Sequence, residues 1–332
     1  MSASGSKKQD AGLAGAVVAI LLAIGLLNAG TQPKPRPKPK PTTTVVTTST
    51  STTTTPTTTT GSVTTTIVSP PDSGADATDA LVTAVAAGDV VIDRPLTINK
   101  VAKITASNRT ITFVGEGKLV RTTNTNPTGD NVTFPVLLFI GSSNVTLVNP
   151  QIIGPGGVCN VPRPTGGGVF RARYDSRYEE SAGITLEGVT NFKISGGTIR
   201  DVRGDGVKIF YDHTVSPSRP SSQVTIENLT TRCVGRAAIA NISSDRVTVN
   251  GGNYAESGFW TFNVEPFNVL AVTNYELNGP TVGYSTSAWL FAGGGPYASC
   301  QVEMRVNKPV FTELVMPESI ASCVRSTVIV VR

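Results

Sequence analysis

The stretch GGTIRDVRGDGVKIF, residues 196–210, gathers residue types that do acid–base chemistry. Asp205 sits between Gly204 and Gly206, Asp201 lies just upstream, and Asp212 follows the segment. Asp175, Glu179 and Glu180 precede it, and Glu256 comes later. Two carboxyl groups are what glycoside hydrolysis requires, about 5–5.5 Å apart for retention and about 6.5–9.5 Å apart for inversion. Arg203, Lys208 and Arg236 are cations of the kind that bind acidic sugars, while Tyr211, Tyr254 and Trp260 offer rings that stack on sugars. The same residues also have a purely local account. Gly-Asp-Gly makes a tight turn into a strand, because glycine reaches positive φ and aspartate caps turns. His213, the only histidine, is either a general base beside Asp212 or an exposed loop side chain. On the sequence, these alternatives stay open.

Such residues need a scaffold, and from residue 72 the chain repeats. Ile184-x-Leu186, Val207-x-Ile209, Ile239 and Phe262-x-Val264 begin 23, 32 and 23 residues apart. A second series begins at Val145, Phe192, Val224, Val247 and Val269, with steps of 47, 32, 23 and 22. The unit is 22 to 23 residues, lengthened once by DHTVSPSRPSS and once around CNVPRPTGGGVFRARYDSRYEE. Within a unit, Gly, Asn or Ser splits short alternating segments, as in GSSNVTLVNPQIIG. Asn-Val-Thr reads as a turn followed by a strand, so its sequon carries no inference of glycosylation. A unit this small cannot bury its apolar face alone, and stacked units coil into a solenoid around an aliphatic core. The spacing predicts six to eight rungs. Residues 280–332 are expected to hold the last rungs and a C-terminal cap, or an assembly element on an open end.

The start of this domain carries a further signal. SGADATDALVTAVAAGDVVIDRPLTI places Asp76 or Thr78 at the start of a short helix. Ala80, Leu81, Ala84 and Val85 form its buried face, Gly88 ends it, and the strand Val90-Val91-Ile92 follows. Together with TITFVGEGKLV at 110–120, this resembles the start of the pectate lyase superfamily, in its phage tailspike and polygalacturonase-like branches. Asp93-Arg94-Pro95 departs from the Pro-x-Gly often found there.

The resemblance implies an all-β, right-handed parallel β-helix, with the helix plugging one end. It also implies a glycan groove along the sheet that holds Ile184, Val207, Ile239 and Phe262, walled by the inserts at 155–182 and 212–222. Gly204-Asp205-Gly206-Val207 is similar to the Thr-Asp-Gly-(Ile/Val) segment of polygalacturonases, whose aspartate works in hydrolysis. On that likeness Asp205 is the catalytic candidate, partnered by Asp201 or Asp212. Arg203, Lys208, Arg236, Tyr211 and Trp260 are the substrate-binding candidates. The sequence departs from the family one rung later, where Gly235-Arg236-Ala237-Ala238 replaces a paired Asp-Asp. Gly-His-Gly, Arg-Ile-Lys and the pectate lyase calcium-site motif are absent.

Charge and cysteines narrow the alternatives. The net charge of +5 comes from Lys7, Lys8, Lys34, Arg36, Lys38 and Lys40 against Asp10. Removing those six of 28 cations and one of 23 anions leaves 22 of each from residue 72 onward. A neutral domain gives no basic face for nucleic acid, so no nucleic-acid partner is expected. Cys159, Cys233, Cys300 and Cys323 form no CxxC, and with one histidine no metal or other cofactor is expected. The cysteines are either disulfides, with Cys300–Cys323 the first pairing expected, or buried free thiols.

The N-terminus sets location. After a short tail (1–10), AGLAGAVVAILLAIGLLNA (11–29) is near the roughly 20 apolar residues that span a bilayer. Leu27-Asn28-Ala29 is a poor cleavage site, which favours a transmembrane signal anchor over a cleaved signal peptide. Four cations follow the span and two precede it, which alone favours a cytoplasmic C-terminal side, yet long domains translocate largely regardless of flanking charge. Residues 30–71 read as a disordered linker: a proline-alternating TQPKPRPKPKP, then 17 threonines in residues 42–66. Such a stalk reaches on the order of 100 Å. The expectation is an exported β-helix (72–332) tethered through residues 11–29 or secreted, with a polysaccharide or cell-surface glycan as partner. Two functions are carried forward: a polysaccharide hydrolase or lyase, and a non-catalytic glycan-binding surface or virion protein, trimeric if tailspike-like.

Overall fold

Strands whose apolar residues alternate bury one face each, and these strands do so by stacking in register around a common core. The structure, a computed structural model, describes residues 65–68, 74–122, 134–156, 178–266, 271–291, 301–312, 319–320 and 325–331. All of them fall in one compact unit, Thr60–Arg332.

Parallel strands build three ladders. The long ladder runs through Thr65–Ile67, Asp89–Ile92, Ser107–Phe113, Ser143–Val148, Thr190–Ser195, Ser221–Glu227, Ser244–Asn250, Ala271–Asn278, Gln301–Asn307 and Arg325–Val331. The groove ladder runs through Ala102–Ile104, Leu137–Ile140, Ile184–Glu187, Val207–Phe210 and Ala237–Asn241. The short ladder runs through Pro95–Thr97, Lys118–Val120, Gln151–Ile153, Thr198–Arg200 and Thr230–Arg232. Asn253–Val264 crosses both of the latter and joins them into one sheet, and Thr281–Phe291 pairs along it. Each turn of the coil passes from groove to long to short ladder, so the fold is a parallel β-solenoid, as the repeat spacing predicts.

The first apolar series is the groove ladder in register: Ile184 pairs with Val207, Val207 with Ile239, and Ile239 with Phe262. The second is the long ladder, Val145 to Phe192 to Val224 to Val247. Its last member is a correction. Val247 pairs with Tyr275, and Val272 pairs with Ser244. Tyr275 and Leu277 supply the inward alternation there, so the unit is longer than the 22 residues read from Val269. The ladder holds ten strands, more than six to eight rungs, because it begins inside the expected linker and continues through Val331. At the start, β-branched Thr65–Ile67 pairs with Asp89–Val91, and Val68 is buried. At the end, Gln301–Asn307 and Arg325–Val331 extend the ladder rather than forming a separate cap among the described residues.

Corners repeat as well. Asn108, Asn144, Asn191, Gln223, Arg246 and Asn274, near the starts of successive long-ladder strands, all have φ between 52° and 58°. Asparagine visits this region more readily than most residues. Its amides also stack, Asn191 donating to Asn144 at 2.8 Å and Asn144 to Asn108 at 2.9 Å.

The helix Thr78–Ala87 packs Leu81, Ala84 and Val85 inward, while Ala80 is exposed and buried Ala77 takes its expected place. Asp76 accepts from the Thr78 N–H and, across the end of the coil, from the Asn99 N–H. Cys233 is in a disulfide whose partner lies outside the described residues, so it is not the free thiol of the second alternative. The pairing of Cys300 with Cys323 and residues 1–64 also lie outside them. No helix among the described residues is long and apolar enough to cross a membrane.

Candidate functional site

On an ordinary sheet face the outward residues of alternating strands stay wet. The groove ladder behaves differently. Thr185 pairs with Lys208, Lys208 with Ala240, and Ala240 with Asn263, making one outward row across four rungs, and all four are buried. The Thr185 Oγ1 and Asn263 Oδ1 atoms are buried without a hydrogen-bond partner.

Two cations anchor this face. The Lys208 side chain is 6% exposed, and its Nζ donates to Glu180 Oε1 at 2.6 Å and Oε2 at 2.5 Å. The same ammonium lies 4.8 Å from the Phe210 ring centroid. Arg236, 4% exposed, donates to Asp205 Oδ2 at 3.1 Å, to Glu265 Oε2 at 2.5 Å and to Glu179 Oε1 at 2.8 Å. Asn263 Nδ2 also donates to Glu265 Oε2, at 3.1 Å. Asp205 is fully buried, and its Oδ1 accepts the Ala237 N–H at 3.0 Å. Burial pushes its carboxyl up to about 6, against the pull of Arg236 and Lys208.

The glycines flanking Asp205 serve a different purpose from the expected positive φ, since neither lies in that region. They permit close backbone approach. A Cβ on Gly204 would come within 2.8 Å of the Tyr178 and Glu179 carbonyl oxygens, and one on Gly206 within 2.5 Å of the Ala238 oxygen. Gly204 thus lets the Tyr178–Ser181 turn sit against the ladder and deliver Glu179 and Glu180. The Gly204 N–H bonds to the Ser181 carbonyl at 3.0 Å, and Gly183 N–H to the Asp205 carbonyl at 2.9 Å.

Of the expected site residues, the structure brings Asp205, Lys208 and Arg236 together. Trp260 borders them, its ring 6.0 Å from the Arg236 guanidinium and edge-on to Phe259. Arg203 stacks over Tyr178 at 4.5 Å. Tyr211 lies against Phe210 with ring centroids 4.3 Å apart. Asp212 closes its own loop: Oδ1 accepts the Thr214 hydroxyl at 2.6 Å and N–H at 2.9 Å, and Oδ2 accepts Arg219 at 3.1 Å. The Thr214 hydroxyl, above all, holds that carboxyl below the usual range. Asp201 stands in another network, at positive φ on the corner after the short ladder, paired with Arg200 at 2.5 Å. Glu256 belongs to the same edge, bonded to Arg232 at 2.6 Å. Asp175 lies outside the described residues.

No protein-family model matches the chain, and no curated protein matches it. Among solved structures, it is similar to a rhamnogalacturonan lyase, at 10% identity and TM-score 0.38, over 68% of this chain and 67% of that one. It is also similar to the catalytic unit of a thermostable GH87 α-1,3-glucanase from Streptomyces thermodiastaticus, at 14% identity and TM-score 0.32, over 78% and 65%. A third is the Streptococcus pneumoniae surface protein and adhesin PfbA, at 10% identity and TM-score 0.23, over 75% and 97%. Likeness at this level says nothing of activity.

The site also holds residues that carry no motif. Glu187 is outward on the same face, with Oε2 making no hydrogen bond and His213 Nδ1 3.8 Å away. Burial, first of all, raises its carboxyl, with Glu180 and Asp212 adding to the effect and His213 and Lys208 opposing it. Glu265, Asn263 and Thr185 complete the set. Their signal is the alternation itself: each lies beside an inward residue of the Ile184-x-Leu186 or Phe262-x-Val264 pair. Among the described residues no cluster of three His, Cys, Asp or Glu could hold a metal ion.

Proposed function

We propose that this chain grips a polysaccharide along the outer face of the groove ladder and acts on it there as a glycoside hydrolase or lyase. The row Thr185, Lys208, Ala240 and Asn263 carries this reading. Its side chains follow one another at about 4.8 Å, the strand spacing, which is close to the length of one sugar ring. Buried polar atoms are normally hydrogen-bonded, so unspent Thr185 Oγ1 and Asn263 Oδ1 suit a ligand rich in hydroxyls. Lys208 and Arg236 add a preference for acidic sugars. Asp205 and Glu187 are carboxyls held toward the protonated form, the state that gives a proton to a leaving oxygen. Asp205 is the catalytic carboxyl expected from the sequence; Glu187 lies on the same outward face, two residues along the strand from Thr185 of the row.

A non-catalytic glycan-binding protein is the second reading. It is favoured by the carboxylates of Asp201, Asp205 and Asp212 all being engaged inside the fold. Both readings include the Pro/Thr stalk presenting the solenoid outside the cell, which protease accessibility on intact cells would check.

The deciding experiment incubates the full chain, cysteines oxidised, with acidic and neutral polysaccharides. New reducing ends alone mean hydrolysis. Reducing ends with absorbance from unsaturated sugars mean a lyase. Saturable binding without cleavage means the second reading, and no binding to any glycan overturns both.

A further inference from the structure

Lys208 and Arg236 are sealed on the protein side and closed on the outer side by two consecutive residues, Glu180 and Glu179. The pairs are lopsided. The cations are 6% and 4% exposed, whereas the side chains of Glu180 and Glu179 are 58% and 39% exposed. The backbone beneath these glutamates is fixed. Ser181 N–H bonds to the Tyr178 carbonyl at 2.9 Å, Ala182 N–H to the Glu180 carbonyl at 2.9 Å, and Val136 N–H to the Ala182 carbonyl at 2.9 Å. The two carboxylates can therefore swing into water without any change in the fold, whereas the two cations cannot follow.

A buried cation needs a counter-charge, but nothing requires that charge to come from its own chain. Lys208 is the more open to exchange. Arg236 keeps Asp205 and Glu265 when Glu179 leaves, while the carboxylate bonded to Lys208 among the described residues is Glu180 alone. Lys208 lies in the row with unspent Thr185 and Asn263, so a chain lying along that row brings its own substituents to the ammonium.

We infer that Glu179 and Glu180 are specificity-determining residues of this face: they occupy the two cation positions until a glycan bringing its own pair of carboxylates takes their place. This rests on the groove reading above. Neutral chains, which have no charge to offer Lys208 and Arg236, leave the glutamates seated. Chains with paired carboxylates displace them, and the displaced glutamates weaken binding by competing for the cations.

The test uses the full chain and three probes: polygalacturonate, the same polymer with its carboxyls reduced to alcohols, and poly-glutamate. The parent protein is expected to bind polygalacturonate more tightly than the reduced polymer. The E179Q/E180Q variant should bind polygalacturonate roughly tenfold tighter, the size of one to two competing surface ion pairs, with affinity for the reduced polymer unchanged. The single E180Q variant, altered at the more exposed position, should tighten by a smaller factor and provides the same reading if the double variant folds poorly. If the parent binds glycans and both variants bind polygalacturonate equally or more weakly, the glutamates are structural counter-ions; this inference fails while the groove reading stands. Tighter binding of poly-glutamate than of polygalacturonate makes the occupant an acidic peptide and also overturns it. No glycan binding by parent or variants removes both.

Discussion

The long ladder and the groove ladder share one core and differ on their outer faces. On the long ladder, burial alternates along strands such as Ser143–Val148, Thr190–Ser195, Ser221–Glu227 and Ser244–Asn250, and outward polar groups lie half in water and satisfy one another. Lys193 meets Glu227 at 2.9 Å, and Thr273 and Asn274 both donate to Asp245 at 2.9 Å. On the groove ladder the alternation persists in Ala102–Ile104 and Leu137–Ile140 and vanishes over the next three strands: Ile184, Thr185 and Leu186 are all buried, as are Val207, Lys208 and Ile209 and every residue of Ala237–Asn241. A solvated face needs no particular neighbours, because water completes its hydrogen bonds. A buried polar face needs a partner for every group, and here some groups have none. The same solenoid physics thus makes one wall and one built site.

The sharpest way to break this comparison is Arg236→Met. It strips fully buried Asp205 of its charged partner and unseats Glu179 and Glu265. Removing one member of a buried ion pair destabilises by about 3–5 kcal/mol. A shift of that size in urea unfolding is expected, and the double variant D205N/R236M should recover part of it, since a matched loss leaves no orphan charge. A loss below about 1 kcal/mol would put the groove face in the same class as the long ladder's surface pairs.

Asp205→Asn gives the next largest effect, visible in pH rather than at one pH. Burial raises the Asp205 carboxyl from 3.8 to about 6, so the folded chain holds a proton in that window that the unfolded chain has released. The stability from this group is fully present below pH 3.8 and is lost as pH rises through about 6. The change amounts to roughly 3 kcal/mol. The difference in unfolding free energy between parent and D205N should slope across this window and be flat above it. Asp212, with its carboxyl lowered, slopes the other way: its stability is present above 3.8 and is lost as pH falls below it. A parent-minus-D205N difference that is flat from about pH 4 to 6 would mean Asp205 is not desolvated in solution.

The sequence showed the solenoid more fully than the site, for a physical reason. Inward positions repeat because each rung must match the one below, so Ile184, Val207, Ile239 and Phe262 mark out the groove ladder by their spacing alone. Corner asparagines are equally legible, since left-handed backbone selects few residue types. The 22-residue step to Val269 misleads because more residues separate Val264 from Ala271 than separate Asn241 from Ser244 one turn earlier, and the true partner is Tyr275. Asp205, Lys208 and Arg236 are legible as a group, yet Asp201 lies only four positions from Asp205 and ends on another corner. In a solenoid a few residues carry the chain from one face to the next, so nearness in sequence is a poor guide to nearness on a face. Register is the better guide: Thr185, Lys208 and Asn263 are dispersed in sequence and lie in one row. Glu265 carries no motif at all, and only its place after Phe262-x-Val264 marks it as outward.

Asn144→Ala tests the corners, which belong to neither face. Asn144 has φ of 54° and bonds to Asn108 and from Asn191. Left-handed backbone and the lost amide bonds together cost about 1–2 kcal/mol. Asn144→Gly should lose less, because it removes the bonds and relieves the backbone. Equal losses in the two variants would assign the whole effect to the amide stack.

Lys193→Met is the smallest predicted effect and the counterpart of Arg236→Met. Lys193 and Glu227 form a close pair, but their side chains are 42% and 31% exposed. Water and salt screen such a pair, and ordering two long side chains offsets much of its attraction, so exposed pairs contribute about 0–1 kcal/mol. An unfolding free energy within about 0.5 kcal/mol of the parent is expected, with the difference shrinking further in high salt. A loss approaching that of Arg236→Met would require Lys193 to be desolvated in solution, and hence something seated on the long ladder. The outer faces would then differ in occupant rather than in kind.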